Sequence, residues 1–339
     1  MDHSKNVPVF DWPLDPGSPG REVWYGFATA QDRPLALWYR YTLVSTMGDH
    51  QEARCWVAVS DGAGRLSTFG THAVPLGQVT IQHTPFEIAV GTAGTIRDGR
   101  VTGRVETGPG TVSWDLQHDP DAVTFTPLRS PVLTDLASRV LGTGHHWSVN
   151  QSVRVSGTIT VGDERIEVSN GTGHQGHTVG RSTPDRWHWV HCNGFGDDHL
   201  AVEALDLDGT LSVCLRTAER THQLNRVSHL AGPFSNRTVD SSPGTWTFLG
   251  RGDGAQVRCR VAADSAHWQR AAYRCPDDSR RYNAHCSLSY VELEYRTNDA
   301  DGWSDWQQAT SDTGRAEWVD SEPPIDGQYL PADWSIEDA

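Results

Sequence analysis

The residues best suited to chemistry lie between positions 171 and 206, in GTGHQGHTVGRSTPDRWHWVHCNGFGDDHLAVEALD. A Gly-rich stretch, read as a turn, carries His174 and His177. A polar loop ends at Pro184, and residues 186–193 then read as a strand. Strand side chains alternate between faces. Trp187, Trp189, His191 and Asn193 therefore share one face, and Arg186, His188, Val190 and Cys192 share the other. Two indoles, an imidazole and an amide in one row make an aromatic wall with a polar end. Such a wall suits a pocket for a mostly apolar ligand acted on at one point. The next strand, residues 200–206, sets Glu203 on one side and Asp206 on the other, so only one of these carboxylates can face that pocket.

Acid–base chemistry on an apolar ligand needs a strong acid beside the pocket. A carboxyl raised in pKa by desolvation can serve, indole faces can hold the resulting cation, and a base must then take a proton or activate water. His174, His177, His191 and Glu203 are the candidate catalytic groups, with Trp187, Trp189 and Asn193 as substrate-binding neighbours. His188 and Asp206 read as structural. His174 and His177 with His191 could in principle bind a metal, but H-x-x-H on a turn is a poor zinc signal without a fourth ligand, so no metal is expected. The glycines at 171, 173 and 176 lack the βαβ context of a dinucleotide loop, and no GxSxG nucleophile elbow occurs.

The elements that must position these residues are strands. Short apolar runs broken by Gly and Asp turns recur along the chain, among them residues 22–28 and 35–43 across a turn at 31–34. This is the pattern of an all-β sandwich or barrel protein. One short helix is expected near 131–141, from Leu133, Leu136 and Val140. Two β halves meeting near 145–170 are the simplest architecture, divided into 1–165, with an N-terminal arm, and 166–339, with an acidic C-terminal tail from 297 onward. Their junction is the expected ligand site. The 339 residues carry a formal charge of -15, which argues against a nucleic-acid groove. Fourteen Trp suit a cavity for a greasy ligand. Six cysteines form no CxxC pair, and no stretch has signal-peptide or membrane-span character, so a reduced, cytoplasmic protein without a membrane span is expected, as a monomer or homodimer.

The segment 186–195, RWHWVHCNGF, resembles the W-x-W-x-x-C-N-x-F segment of plant-type tocopherol cyclases. The preceding GHQGHTVG at 173–180 resembles the G-Y-Q-D-H-N-W-G motif of the hydroxyneurosporene synthase (carotenoid 1,2-hydratase) superfamily. Trp24 and Tyr25, the GHHW at 144–147, and the YNAHC at 282–286 fit the same pattern. The resemblance implies two lipocalin-like antiparallel β-barrels packed together, a hydrophobic isoprenoid or polyene substrate, and no redox cofactor. It also brings Gln175, His146, Trp24 and Tyr25 into the substrate-binding set. The superfamily aspartate falls at Gly176 here, which puts alkene protonation by that residue in doubt. Three functions follow as expectations: an acid–base cyclase or hydratase, a pericyclic cyclase of the lipocalin-like Diels–Alderase type, which polarises a carbonyl without a strong acid, or a non-catalytic carrier of a hydrophobic small molecule.

Overall fold

The structure is a computed structural model describing residues 5–121, 123–130, 144–232 and 235–331. The helix expected at 131–141 lies outside the described residues.

Two antiparallel sheets of eleven strands each make up the fold. In the first, β1 (Gly20–Thr29) and β2 (Leu35–Ser45) form the hairpin expected across 31–34, with Phe27 opposite Trp38. Beyond β2 follow β3 (Gln51–Asp61) and β4 (Thr68–Val74). On the other side of β1 lie β11 (Glu164–Gly180), β10 (His145–Val161), β9 (Gly110–His118), β8 (Arg100–Thr107), β7 (Gly94–Arg97), β6 (Glu87–Val90) and β5 (Val79–Gln82), in that order. The sheet curls until β4 lies beside β8, around a core that includes Trp24, Tyr41, Ile88, Trp114 and Ile159.

The second sheet is ordered around β12 (Trp187–Cys192). On one side lie β13 (Ala201–Leu207), β14 (Thr210–Arg216) and β15 (Thr221–Leu224). On the other lie β22 (Gln307–Asp320), β20 (Arg280–Asp299), β18 (Ala255–Ala262), β17 (Thr245–Gly252) and β16 (Arg237–Ser242). β19 (Trp268–Arg274) and β21 (Gly302–Trp303) pair with β20. Its own core gathers Val190, Val213, Trp246, Phe248, Leu293 and Trp318. The β13–β14 turn has Asp208 at φ 49° and Gly209 at φ 88°, the conformation that a two-residue hairpin of matching twist requires. The sequence did not mark the single-turn helix α1 (Val227–Leu230).

Three expectations are corrected. The Gly-rich stretch 171–180 is not a turn but the second half of β11, paired with β1 on one side and β10 on the other. Glycine breaks strands through entropy, but here Gly176 lets the Tyr25 ring of the neighbouring strand lie across the backbone. The acidic region after 297 is not merely a tail: β22 is a central strand between β12 and β20. Its charges hid it, because its buried face carries Arg315 and Glu317 where a purely apolar strand would carry Val or Leu. Finally, the expected division at 165/166 falls inside the β10–β11 hairpin, whereas the change of sheet comes between Gly180 and Trp187.

The six cysteines are all free and buried. No helix among the described residues is long and apolar enough to cross a membrane.

Candidate functional site

The site is set by register on the faces that the two sheets turn toward each other. On the first sheet, His174 stands opposite Phe27 and Gly176 opposite Tyr25, with Trp38 and Arg40 next across on β2. On the second, Glu203, His191 and Arg315 form one row across β13, β12 and β22. Leu205, Trp189, Glu317 and His285 form the next row, and Leu207 and Trp187 begin a third. Because alternation puts all these residues on one face, a single packing of sheet on sheet brings them together.

A cavity of about 600 Å³ opens at this seam. Its apolar wall includes Tyr25, Trp38, Trp187, Trp189, Leu205 and Leu207, and its polar groups include Arg21, Arg40, His146 and Glu317. Trp187 and Trp189 both line it. Tyr25 Oη lies 3.3 Å from His146 Nε2, and His146 Nδ1 lies 3.3 Å from Thr178 Oγ1. Burial pushes the Tyr25 phenol well above its usual pKa, with the Glu203 charge adding to this, so it stays a donor. Burial lowers His146 to about 4, against the opposing pull of Glu203, so its ring is neutral at pH 7. Of its two neutral tautomers, the one protonated at Nε2 donates to Tyr25 Oη and accepts from Thr178 Oγ1 at Nδ1, which leaves the phenol proton free for a ligand.

The two carboxylates of the seam are ionised. For Glu203, burial alone would raise the pKa, but His174 and then His191 and His146 outweigh it and hold the group at about 2. Ser148 Oγ donates to Glu203 Oε1 at 2.5 Å and Trp189 Nε1 donates at 3.0 Å. For Glu317, burial again raises the pKa, but His285, 3.2 Å away, and Arg40 hold it below the usual carboxylate range. Trp187 Nε1 also reaches Glu317 at 3.5 Å. A carboxyl kept protonated by desolvation, the strong acid expected from the sequence, is therefore not what these surroundings make of either residue.

The other candidates divide. His174, His191 and Glu203 cluster behind Trp189 and Tyr25, outside the lining of the cavity. Asn193 Nδ2 donates to Gly173 O at 3.0 Å and to Ser152 Oγ at 3.2 Å, tying the two sheets together rather than facing the cavity. His177, Gln175 and Trp24 lie on the opposite face of their strands and are not brought to the seam. His177 stacks on Trp24 with ring centroids 4.7 Å apart, and its Nδ1 and Nε2 face Lys5 O at 2.5 Å and Glu22 Oε1 at 2.9 Å. Gln175 Oε1 accepts from Asn6 and Asn150, and Trp24 Nε1 donates to Asn6 O. These three residues hold the N-terminal arm. His174 and His177 are three positions apart, and an odd offset on a strand turns their side chains to opposite faces, whereas a turn could have set them on one side.

Sequence reasoning missed Arg40, Glu317 and Trp38. Two of them carried a signal: a charged residue within an apolar run, LALWYRYTL and AEWV, is a buried charge awaiting a partner. Arg40 meets that need by lying 3.7 Å over the Tyr273 ring.

Gly176 explains its own departure from the aspartate pattern. A Cβ built there would lie 2.4 Å from Tyr25 Cζ, so the phenol ring occupies the space any side chain would need. Gly176→Asp is expected to expel the ring, weaken ligand binding at the seam by tenfold or more, and destabilise the fold by about 1–3 kcal/mol. Ligand titration followed by Trp fluorescence checks this, and unchanged affinity would show that the Tyr25 position does not shape the site.

The buried imidazoles also set a pH response. His118, like His146, is lowered to about 4, chiefly by burial. Unfolded, each ring takes a proton below its ordinary value of 6.5, and folded, only near 4. Their contribution to stability is thus complete above pH 6.5 and is lost as pH falls from 6.5 toward 4. Each group adds a slope of up to about 1.4 kcal/mol per pH unit in that window. Urea denaturation of the wild type and His146→Gln across it should show a shallower acid limb in the variant, and parallel limbs would remove His146 from this account.

The fold and cavity together define a lipocalin-like, all-β protein with a ligand-sized cavity where its two sheets meet. Among solved structures, the chain is similar to a crystal structure of a protein from Nitrosomonas europaea provisionally described as AttH, with a TM-score of 0.54 and 15% identity over 92% of this chain and 96% of that one. At that identity the likeness speaks to the fold alone. No protein-family model and no curated protein matches the sequence.

Proposed function

We propose that the seam cavity binds one hydrophobic isoprenoid or polyene and that the protein cyclises it, or adds water to it, without a redox cofactor. The observation that carries this reading is the Tyr25–His146 pair set into an aromatic wall. A mostly apolar cavity of about 600 Å³ has room for a small terpenoid or polyene, and the phenol offers a proton at one defined point of it. The resemblance of residues 173–195 to hydratase and cyclase segments supports the same substrate class.

The ionised carboxylates favour one mode of cyclisation over another. With Glu203 and Glu317 both held as carboxylates, the pericyclic route gains over protonation of an alkene by either of them. The cavity wall folds the polyene into a reactive conformer, and the Tyr25 hydroxyl, backed by His146, polarises a carbonyl or other acceptor. In the acid–base route the same groups take other parts: Trp187, Trp189 and the Glu317 carboxylate stabilise positive charge on the substrate.

The test is incubation of the full chain with conjugated polyenes and prenylated quinols, followed by mass spectrometry and chiral chromatography. An isomer of unchanged mass supports cyclisation, and a gain of one water supports hydration. Saturable one-to-one binding with the ligand returned unaltered would overturn the catalytic reading and leave a carrier.

A further inference from the structure

Behind the cavity wall lies a second arrangement that the proposed function does not use. We infer that His174, His191 and Glu203 bind a first-row divalent metal ion of the zinc or cobalt type, which ties the first sheet to the second. One potential ligand atom from each residue lies within 4.8 Å of the others, and all three side chains are fully buried.

The outer atoms of His191 and Glu203 are already engaged, as in metal sites whose outer partners orient the ligands. His191 Nε2 donates to Gln151 O at 2.7 Å, which leaves Nδ1 as a lone pair with no hydrogen-bond partner. Glu203 Oε1 accepts from Ser148 and Trp189, which leaves Oε2 without a partner. Neither nitrogen of His174 makes a hydrogen bond, although Nε2 stands 3.4 Å from Glu203 Oε1, and the ring is held by stacking on Phe27 at 5.3 Å. Unpartnered buried polar atoms are costly, at about 1–3 kcal/mol each, and one cation would satisfy one such atom on each of the three residues. Two imidazoles and a carboxylate match zinc, cobalt or iron(II) and leave at least one coordination position open. Tetrahedral bonds of about 2.0–2.1 Å place donors roughly 3.4 Å apart, so side-chain shifts of about an ångström close the set.

Arg315, in register with His191, brings an opposing charge. Its guanidinium lies 3.8 Å over the Phe27 ring and donates to Thr313 O, and among the described residues it forms no ion pair with Glu203. The carboxylate is therefore left for the metal. Sequence spacing argued against a metal because it paired His174 with His177. The third ligand instead comes from the strand beside His191, at a spacing no local motif encodes.

The inference is independent of the cavity's substrate, and its test needs no turnover. The full-length protein, stripped with chelator, is titrated with Co²⁺ followed by visible spectroscopy, and with Zn²⁺ followed by calorimetry and thermal melting. The expected result is one equivalent bound, ligand-field bands of a nitrogen–oxygen site, and a higher melting temperature. Glu203→Gln, which keeps acceptors for Ser148 and Trp189, should weaken binding about a hundredfold, and Ser148→Ala, which keeps all three ligands, about tenfold. His83→Ala, at an exposed histidine, should change nothing. No stoichiometric binding by the wild type, or affinity unchanged in both Glu203→Gln and Ser148→Ala, would overturn the assignment.

Discussion

Tyr25→Phe is expected to lower turnover about a hundredfold while the protein remains folded. The substitution removes one oxygen and nothing else. The phenol is the donor at the cavity wall, 3.3 Å from His146 Nε2, and its raised pKa keeps it protonated throughout the neutral range. In a low-dielectric pocket, a preorganised donor aimed at developing charge contributes about 10²–10³ in rate. The stability cost should stay near that of a single neutral hydrogen bond, about 0.5–1.5 kcal/mol. The measurement is a single-turnover rate beside a melting curve, with ligand affinity as a third reading. A variant with full activity would remove Tyr25 from the chemistry. A variant with intact kcat and raised KM would make it a binding residue only.

His177→Ala should have the opposite profile: a large loss of stability, about 3–5 kcal/mol, with the chemistry affected only as far as the fold is. Its ring is fully buried, stacks on Trp24, and joins Lys5 O to the Glu22 carboxylate. Glu22 in turn accepts from Val9 N at 2.7 Å and Trp12 Nε1 at 2.8 Å, so one carboxylate and one imidazole hold the N-terminal arm against β1 and β11. Removing the imidazole leaves the buried Glu22 carboxylate and Lys5 O each short of a hydrogen-bond partner, and a buried polar group without its partner is costly. Limited proteolysis within residues 5–12, together with chemical denaturation, checks this. Wild-type stability combined with lost turnover would return His177 to the candidate catalytic set, where its motif position placed it.

These two residues show where reading the chain succeeds and where it stops. Alternation along WHWVHCN was enough to place Trp187, Trp189 and His191 on one face, and the alternation of the next strand was enough to show that only one of Glu203 and Asp206 could join them; the register of the two strands chose Glu203. Both follow from the two-residue period of a strand, a property of the backbone that no packing detail can undo. The all-β class was equally legible, because turn residues between short apolar runs are a local signal.

What lay beyond the sequence were the faces of the Gly-rich strand and the partners of buried charge. A run such as GTGHQGHTVG reads locally as a turn, and only the close approach of Tyr25 to Gly176 shows why glycine is needed inside a strand. The pairing of His174 with Glu203, 29 positions along the chain, and of Glu317 with His285 depends on which strands lie side by side and which sheet covers them. So does the ionisation of both carboxylates, since a pKa is set by the charges that surround a group in space. Residue types and local periodicity thus supplied the strands and one aromatic row; the stacking of one sheet on the other decided which polar groups meet, which face the cavity, and which only hold the arm.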